Sequence, residues 1–456
     1  MNKQVRVVTI TDADSYVKWG AALSSRMPAE WNVSLVVIAN PVMPSDGQLT
    51  AALTGTKFEH PPVLDLPALK TFLRDAAPDL VLVSVRGALV KVIVRAIVTS
   101  VERRPVLVSG LPGISIPATR MAVAHRSQTD LLVLHSRREI HAFGRLAKAM
   151  RVEQTFGLAT LPFLPRRAVG SRPDGDVIFA AQAKVPLTRE DRVALLNWLA
   201  ESARRHPWRR IVIKLRAAPG EAQTHPEKWE YASLVGDLDR ALPRNLIFAG
   251  GSMRDHLSGA AALVTVSSTA AIEAIAMNVP VLAINDFGVR GDLINTVFTD
   301  SGLFGDSADL VQARFKHPNP AWLDENYFHD ASAENWVALA EDLLEQREAG
   351  TLPVKELARG SAGGALRRAW DRKRALGSHD RTVSGMLALL IGTVPRLVLR
   401  TFRSMRAARR MARPVALQPV REPLEDVAVP LQRGQRPVVT PRGEVIQLVR
   451  NSPRGE

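Results

Sequence analysis

Two α/β halves, each a parallel sheet covered on both faces by helices, are the architecture that this 456-residue chain predicts. Three observations lead there. Short β-rich apolar runs alternate with helical stretches, and the runs are near-continuously apolar, as strands buried on both faces must be. The pattern stops at a Pro/Gly/Arg-rich stretch, LPFLPRRAVGSRPDGD (161–176), and then restarts. The length itself suits two large units and an appendage.

Along the first half the strands are VRVVTIT (5–11), NVSLVVIA (32–39), DLVLVSV (79–85), RPVLVSGL (104–111) and TDLLVLHS (129–136), with helices near 65–76, 87–100 and 137–150 between them. In the second half VIFAAQA (177–183), RIVIKLR (210–216), NLIFAG (245–250), ALVTVS (262–267) and PVLAI (280–284) are strands, with helices near 188–206, 227–242, 252–261 and 268–278. The expected domains are 1–162 for an acceptor, 163–176 as linker, 177–350 for a donor, 351–413 as a basic helical tail and 414–456 as disordered sequence. Two such halves place a cleft between the carboxyl ends of their strands.

With 46% apolar and 23% charged residues the chain can build ordinary globular cores. It contains no cysteine, which excludes disulfides, zinc–thiolate sites and a cysteine nucleophile and suits the cytoplasm. MNKQVRVVTITDADSY passes into a strand without the pattern of a signal peptide. The net charge of +15 is a property of the tail: residues 355–456 hold 21 Lys/Arg against 8 Asp/Glu, and residues 1–354 hold 39 against 37.

The chemistry-bearing residues gather at strand ends. Ser267, Ser268 and Thr269 stand where strand ALVTVS meets helix TAAIEAIAMN. A helix N-terminus offers unpaired N–H groups and the positive end of a dipole, and small hydroxylic residues let a phosphate approach. Glu273, in the first turns of that helix, can accept from ribose or sugar hydroxyls; Ser268 as a plain N-cap accounts for the same spacing. Lys184 follows VIFAAQA, while Lys214 and Arg216 end RIVIKLR, so cations from neighbouring strands can offset diphosphate charge. Gly251 and Ser252 after NLIFAG bring backbone close to a ligand, and Asp286 after PVLAI can line a base or sugar pocket; each also reads as an ordinary turn residue. The first half is expected to supply the acceptor side and a general base, with Asp14 first, Asp12 beside it and His135 as rival. Asp14 as a simple helix cap is the alternative. Gly110 to Gly113 form a tight loop that shapes the cleft.

SSTAAIEAIAMNVPVLAI resembles the Ser/Thr motif of inverting GT-B glycosyltransferases that build bacterial capsules and sialylated or teichoic polymers, a motif whose hydroxyls contact donor phosphate. The resemblance implies the GT-B fold, two doubly wound Rossmann-like domains facing across a cleft. The same families carry a His-Pro motif directly after an earlier strand. Here His225-Pro226, followed by Glu227, stands several residues beyond RIVIKLR, and His206-Pro207 is a poorer match. DADSYVKWG, LPGISIP, AAQAKVPLT, KLRAAPGEAQTHPE, VSSTAAIEA, DFGV and NYFH together resemble an actinobacterial glycosyltransferase family over residues 5–400. The D-A-D spelling also resembles the metal motif of GT-A transferases, but the two-half architecture is wrong for GT-A.

Residues 383–413 begin apolar and become a basic amphipathic helix. Arg396, Arg400, Arg403, Arg406, Arg410 and Arg413 recur at spacings of three and four, with Leu397, Val398, Phe402 and Met405 opposing them. That pattern suits the surface of an anionic membrane at the inner face of the cell membrane, and the near absence of aromatic residues disfavours single-stranded nucleic acid. A helix docked on the body is the competing account.

The expected function is metal-independent, inverting transfer of a sugar from a nucleotide-activated donor, a CMP conjugate among the candidates, to a cell-surface glycan or lipid-linked acceptor. No cofactor is expected. An epimerase of nucleotide sugars and a non-catalytic membrane adaptor are the alternatives, and the sequence leaves the oligomeric state open.

Overall fold

Strands buried on both faces need helices on both faces, and the chain supplies them in alternation. The computed structural model describes residues 4–165, 170–215, 227–357 and 363–391. Its first half runs β1 (Arg6–Thr11), α1 (Asp14–Ser24), β2 (Asn32–Ile38), α2 (Asp46–Leu53), β3 (Val63–Leu64), α3 (Leu66–Ala76), β4 (Leu80–Ser84), α4 (Gly87–Val98), β5 (Val106–Gly110), α5 (Arg120–Arg126), β6 (Leu131–Leu134), α6 (Arg137–Met150) and β7 (Thr155–Leu158). The second runs β8 (Asp176–Ala180), α7 (Arg189–Arg205), β9 (Ile211–Lys214), β10 (Leu246–Ala249), α8 (Met253–Leu257), β11 (Ala260–Thr265), α9 (Ala270–Ala276), β12 (Val281–Ile284), β13 (Phe304–Gly305), α10 (Ser307–Val311), α11 (Pro320–Glu325), α12 (Trp336–Glu348) and α13 (Ala365–Leu376).

Both sheets are parallel, ordered β3-β2-β1-β4-β5-β6-β7 and β10-β9-β8-β11-β12-β13. The order reverses direction between β1 and β4 and between β8 and β11, so each half has a switch point where two neighbouring strands send their connections to opposite faces and leave a crevice. The architecture is the GT-B arrangement expected from the sequence.

Alternation along β1 shows how each sheet is clad. Val8 and Ile10 join a cluster with Val81, Val83 and, from α4, Leu89, Val90 and Ile93. Val7 faces the other way, onto Trp19 and Leu23 of α1. Helix α1 reaches the sheet closely because residue 20 is glycine: a Cβ there would stand 2.7 Å from the Ser84 hydroxyl.

Three findings depart from the sequence reading. First, α12 lies in the stretch assigned to the second half, yet its Trp336, Ala340 and Leu343 pack on Val7, Leu80, Leu82, Val106 and Val108 of the first sheet. Asn335 enters this helix by bonding edge strand β7 in both directions, its amide donating to the Leu158 carbonyl at 3.1 Å and its side-chain oxygen accepting from the Leu158 amide at 2.8 Å. At the far end Arg347 forms a buried pair with Asp79 at 3.0 Å. Second, the helix expected over 227–242 is reduced to a short 3-10 turn, Tyr231–Asp237. Third, the tail begins as a docked element: α13 lies along α4, joined by Lys91–Asp371 at 3.7 Å, with Leu376 in the first core. Residues 383–391 are helical, and Ala388 packs on Ala369 and Trp370. Among the described residues, no helix is long and apolar enough to cross a membrane.

Candidate functional site at the two switch points

In the second half β8 and β11 pair directly, Phe179 opposite Val264, so the loops that follow them are neighbours. Gln182 spans the two: its side-chain oxygen accepts from the Ser267 amide at 2.9 Å and its nitrogen donates to the Ser267 hydroxyl at 3.0 Å. The chain then turns into α9 with local help. Thr265 Oγ1 accepts from the Ser268 amide at 3.0 Å, and Ser268 Oγ accepts from the Ala270 amide at 3.2 Å. Ser268 therefore does the capping that its spacing suggested, while Thr269 has helical dihedrals and no capping bond. Gln182 has no sequence signature; a glutamine two residues past a strand becomes informative only once that strand is known to lie beside ALVTVS.

The loop after β8 is pinned from behind by Arg192. Its guanidinium donates to the carbonyls of Gln182, Ala183, Pro186 and Trp229 and pairs with Glu227 at 2.6 Å, both side chains being buried. This corrects the expectation for Glu227, whose carboxylate belongs to a buried ion pair rather than to an open donor site. Lys184 remains exposed on the pinned loop, and Lys214 is half-buried at the end of β9, in register with Ala180. Asp286 is exposed beyond β12 and accepts from the Ser307 hydroxyl at 2.8 Å. Gly251 adopts φ +89°, a conformation suited to glycine. It and Ser252 line a hollow with Gly175, Asp176, Arg210 and Gly259, residues at the amino ends of β8, β9 and β11, which separates them from the switch point. Arg216, His225, Arg396, Arg400, Phe402 and Arg403 lie outside the described residues.

The first half presents a different chemistry. Asp12 is fully buried; its two oxygens accept from the Arg86 amide at 3.1 Å and Arg86 Nε at 2.7 Å. Burial raises its pKa against the opposing pull of Arg86. His135 is also fully buried, with Nε2 accepting from the Trp19 indole at 2.7 Å and Nδ1 against the Ala159 carbonyl at 2.9 Å. Burial holds its pKa down to about 4. Neither group can reach an acceptor hydroxyl, so the structure withdraws both as candidate bases. Asp14 is exposed at the start of α1, unlike the other two members of the expected trio.

Two contacts bring the halves together at this place. Thr269 Oγ1 accepts from the Ile114 amide at 3.4 Å and lies against Gly113, where a Cβ would stand 2.7 Å from it. Lys18, one turn along α1 from Asp14, reaches Glu273 on α9, at 3.1 and 3.2 Å to its two oxygens, and lies over the Phe163 ring. The halves are also joined by a buried group: Glu139 accepts from the Ser115 amide, the His135 amide and the Tyr327 hydroxyl at 3.0, 2.9 and 2.6 Å. Lys18, Arg86, Arg126 and Arg192 are residues that the sequence reading did not single out. Arg86, directly after DLVLVSV, stood where a strand-end rule could have found it.

A family model described as "Putative glycosyltransferase (DUF6716)" matches residues 7–343. No curated protein matches the chain. Among solved structures, the chain is similar to a putative UDP-N-acetylglucosamine 2-epimerase from Listeria monocytogenes, at 12% identity and TM-score 0.49, over 78% of this chain and 99% of that one. It is similar to the UDP-GlcNAc 2-epimerase from Neisseria meningitidis bound to UDP-GlcNAc, at 12% identity and TM-score 0.46, over 76% and 100% of the chains. A third is Phytolacca americana UGT2 complexed with UDP-2fluoro-glucose and pterostilbene, at 9% identity and TM-score 0.43, over 76% and 96%.

Proposed function

The chain belongs to the family described as "Putative glycosyltransferase", and on that premise we propose that it transfers a sugar, with inversion and without a metal ion, from a nucleotide-activated donor to a cell-surface glycan or lipid-linked acceptor. The observation that carries the reading is the meeting of the two switch points through Thr269–Ile114 and Lys18–Glu273, which sets a hydroxyl-lined loop of one half against the strand-end loops of the other. In this reading Ser268 and Thr269 hold the donor phosphate, Lys184 and Lys214 offset its charge, and Glu273 exchanges Lys18 for a sugar or ribose hydroxyl. Asp14 takes the proton from the acceptor hydroxyl as that oxygen bonds to the anomeric carbon, while the nucleotide leaves with the electron pair of the broken bond.

The tail supports a membrane-proximal acceptor. Val383, Met386, Leu387 and Ile391 are exposed on the helix over 383–391, spaced to share one side, and the sequence that follows is rich in arginine. An apolar stripe continued by positive charge suits the inner surface of an anionic membrane.

Isothermal titration tests the donor site. With Ser268→Ala and Thr269→Ala combined, affinity for the best-binding nucleotide conjugate, found by a thermal-shift screen of CMP, CDP, UDP and GDP sugars, should fall at least tenfold; unchanged affinity sinks the assignment. Asp14→Asn should lower turnover by about 10²- to 10⁴-fold with donor affinity kept. Incubation with donor alone separates transfer from epimerisation, because an isomerised sugar would mean the latter.

A further inference from the structure

The crevice at the first switch point holds more positive charge than it neutralises. Thr11 and Ser84 pair at the ends of β1 and β4, and the next polar side chains are Asp12 and Arg86. Arg86 satisfies Asp12 and also donates to Asn40 Oδ1 at 2.8 Å. A second guanidinium lies beneath: Arg126, at the end of α5, is 1% exposed and close enough to Asp12 to act on its charge. Its hydrogen bonds all go to neutral oxygens, from Nε to Ser109 Oγ at 3.2 Å and from Nη2 to the Tyr16 hydroxyl at 3.1 Å and the Val85 carbonyl at 3.3 Å. Nη1 of Arg126 and Nη1 of Arg86 have no hydrogen-bond partner among the described residues. Two guanidiniums thus share one carboxylate.

The neighbours do not supply the missing negative charge. Lys91 is engaged by Asp371, and His125, packed against Gly87, is held neutral by burial and by Lys91 and Arg126, with its pKa down to about 4. Helix α4, twelve residues long, begins at this point with Arg86 as its N-cap and no side-chain capping bond, so the positive end of its dipole adds to the excess. A buried guanidinium that must share its carboxylate with a second one is costly, and a cation at a helix N-terminus is unfavourable too. Both costs are relieved by an anion in the crevice.

We propose that this crevice is an oxyanion subsite, formed by Arg86 and the first turn of α4 with Arg126 adding its charge from beneath, that receives a phosphate or carboxylate carried by the acceptor. The inference rests on the reading that the first half binds the acceptor, and it narrows that substrate to an anionic one. Guanidinium groups suit both oxyanions, since they donate paired N–H groups to planar or tetrahedral oxygens. The Tyr16 hydroxyl, which accepts from Arg126, retains its own proton to donate.

The test uses the full chain and inorganic phosphate, with acetate as a second probe, at constant ionic strength in calorimetric titration. The Ser268→Ala/Thr269→Ala background removes the proposed donor site, and phosphate should still bind there saturably. Ala88 is exposed in the first turn of α4, so Ala88→Glu adds a carboxylate to the turn that forms part of the proposed subsite, a place where a helix tolerates it. In that background it should weaken phosphate at least tenfold, whereas Ala88→Gln should retain binding within twofold. Stronger binding of phosphate than acetate indicates a phosphorylated acceptor, and the reverse order a carboxylated one. Absence of saturable binding by either anion, or equal binding in the Ala88→Glu protein, overturns the subsite. Failure of the donor reading has a separate signature, nucleotide affinity that ignores Ser268 and Thr269.

Discussion

The two switch points share a strand order and differ in how they are held. In the first half the crevice is fastened by charge, with Asp12 buried under Arg86 and Arg126 nearby. In the second the equivalent place is fastened by neutral groups, Gln182 to Ser267 and Thr265 to Ser268, while the charged clamp of Arg192 and Glu227 stands behind the loop. Topology fixes where ligands gather; the side chains at the strand ends decide which ligands are tolerated. A neutral, hydroxyl-lined turn can accept a phosphate without first releasing a counter-charge. A crevice already built around ions is rigid and selects by charge.

The comparison predicts unequal costs for equivalent deletions. Asp12→Asn leaves Arg86 and Arg126 without their shared carboxylate and should destabilise the chain by about 3 to 5 kcal/mol. Gln182→Ala leaves the Ser267 amide without its partner but introduces no unpaired charge, and about 1 to 2 kcal/mol is expected. Urea denaturation of both variants checks this, and a larger loss for Gln182→Ala would break the contrast.

Acid should expose the same asymmetry at a somewhat smaller scale. His135 is depressed to about 4 from an ordinary 6.5 by burial. The unfolded chain therefore takes up a proton below pH 6.5 that the folded chain refuses until about pH 4, so stability is full above that range and is lost as pH falls through it. For one fully buried imidazole the loss approaches about 3 kcal/mol, and His125 acts in the same direction. Denaturation midpoints measured between pH 7 and 4.5 should decline for the wild type and decline less steeply for His135→Gln. Parallel slopes would show that this imidazole is not the source.

How much of this was legible depends on whether a feature is local. The inner strands were readable because runs such as DLVLVSV stay apolar when both faces are buried. Edge strands β3 and β7 were not, since two residues, or four with a half-buried start, carry little pattern. Helix α12 was missed as part of the first half because an apolar stripe does not say which sheet it will cover. The Ser267–Thr269 turn was legible since strand, hydroxyls and helix are contiguous in the chain. Gln182 acts across 85 residues and Lys18 across 255, and only the fold brings their partners to them. Asp12 and His135 were attractive by residue type and strand-end position, and burial removed them.

The smallest effect concerns the Lys18–Glu273 ion pair, which joins the two halves. Lys18 is partly solvent-exposed, with 37% of its side chain accessible against 12% for Glu273, so breaking the pair should cost stability no more than about 1 kcal/mol. Its consequence for ligands is expected to be larger than its consequence for folding. Lys18→Met removes a cation from the proposed donor loop and leaves the Glu273 carboxylate, one helical turn beyond Thr269, unpaired but still reached by solvent. An anionic donor should then bind two- to fivefold more weakly, with the difference shrinking as salt is raised. Substituting Glu273→Gln in the same protein should restore most of the affinity, because the repelling charge is gone. If donor affinity in Lys18→Met matched wild type at low salt, Lys18 would be a contact that only steadies the two halves, and the charge contrast between the switch points would stop short of the cleft they share.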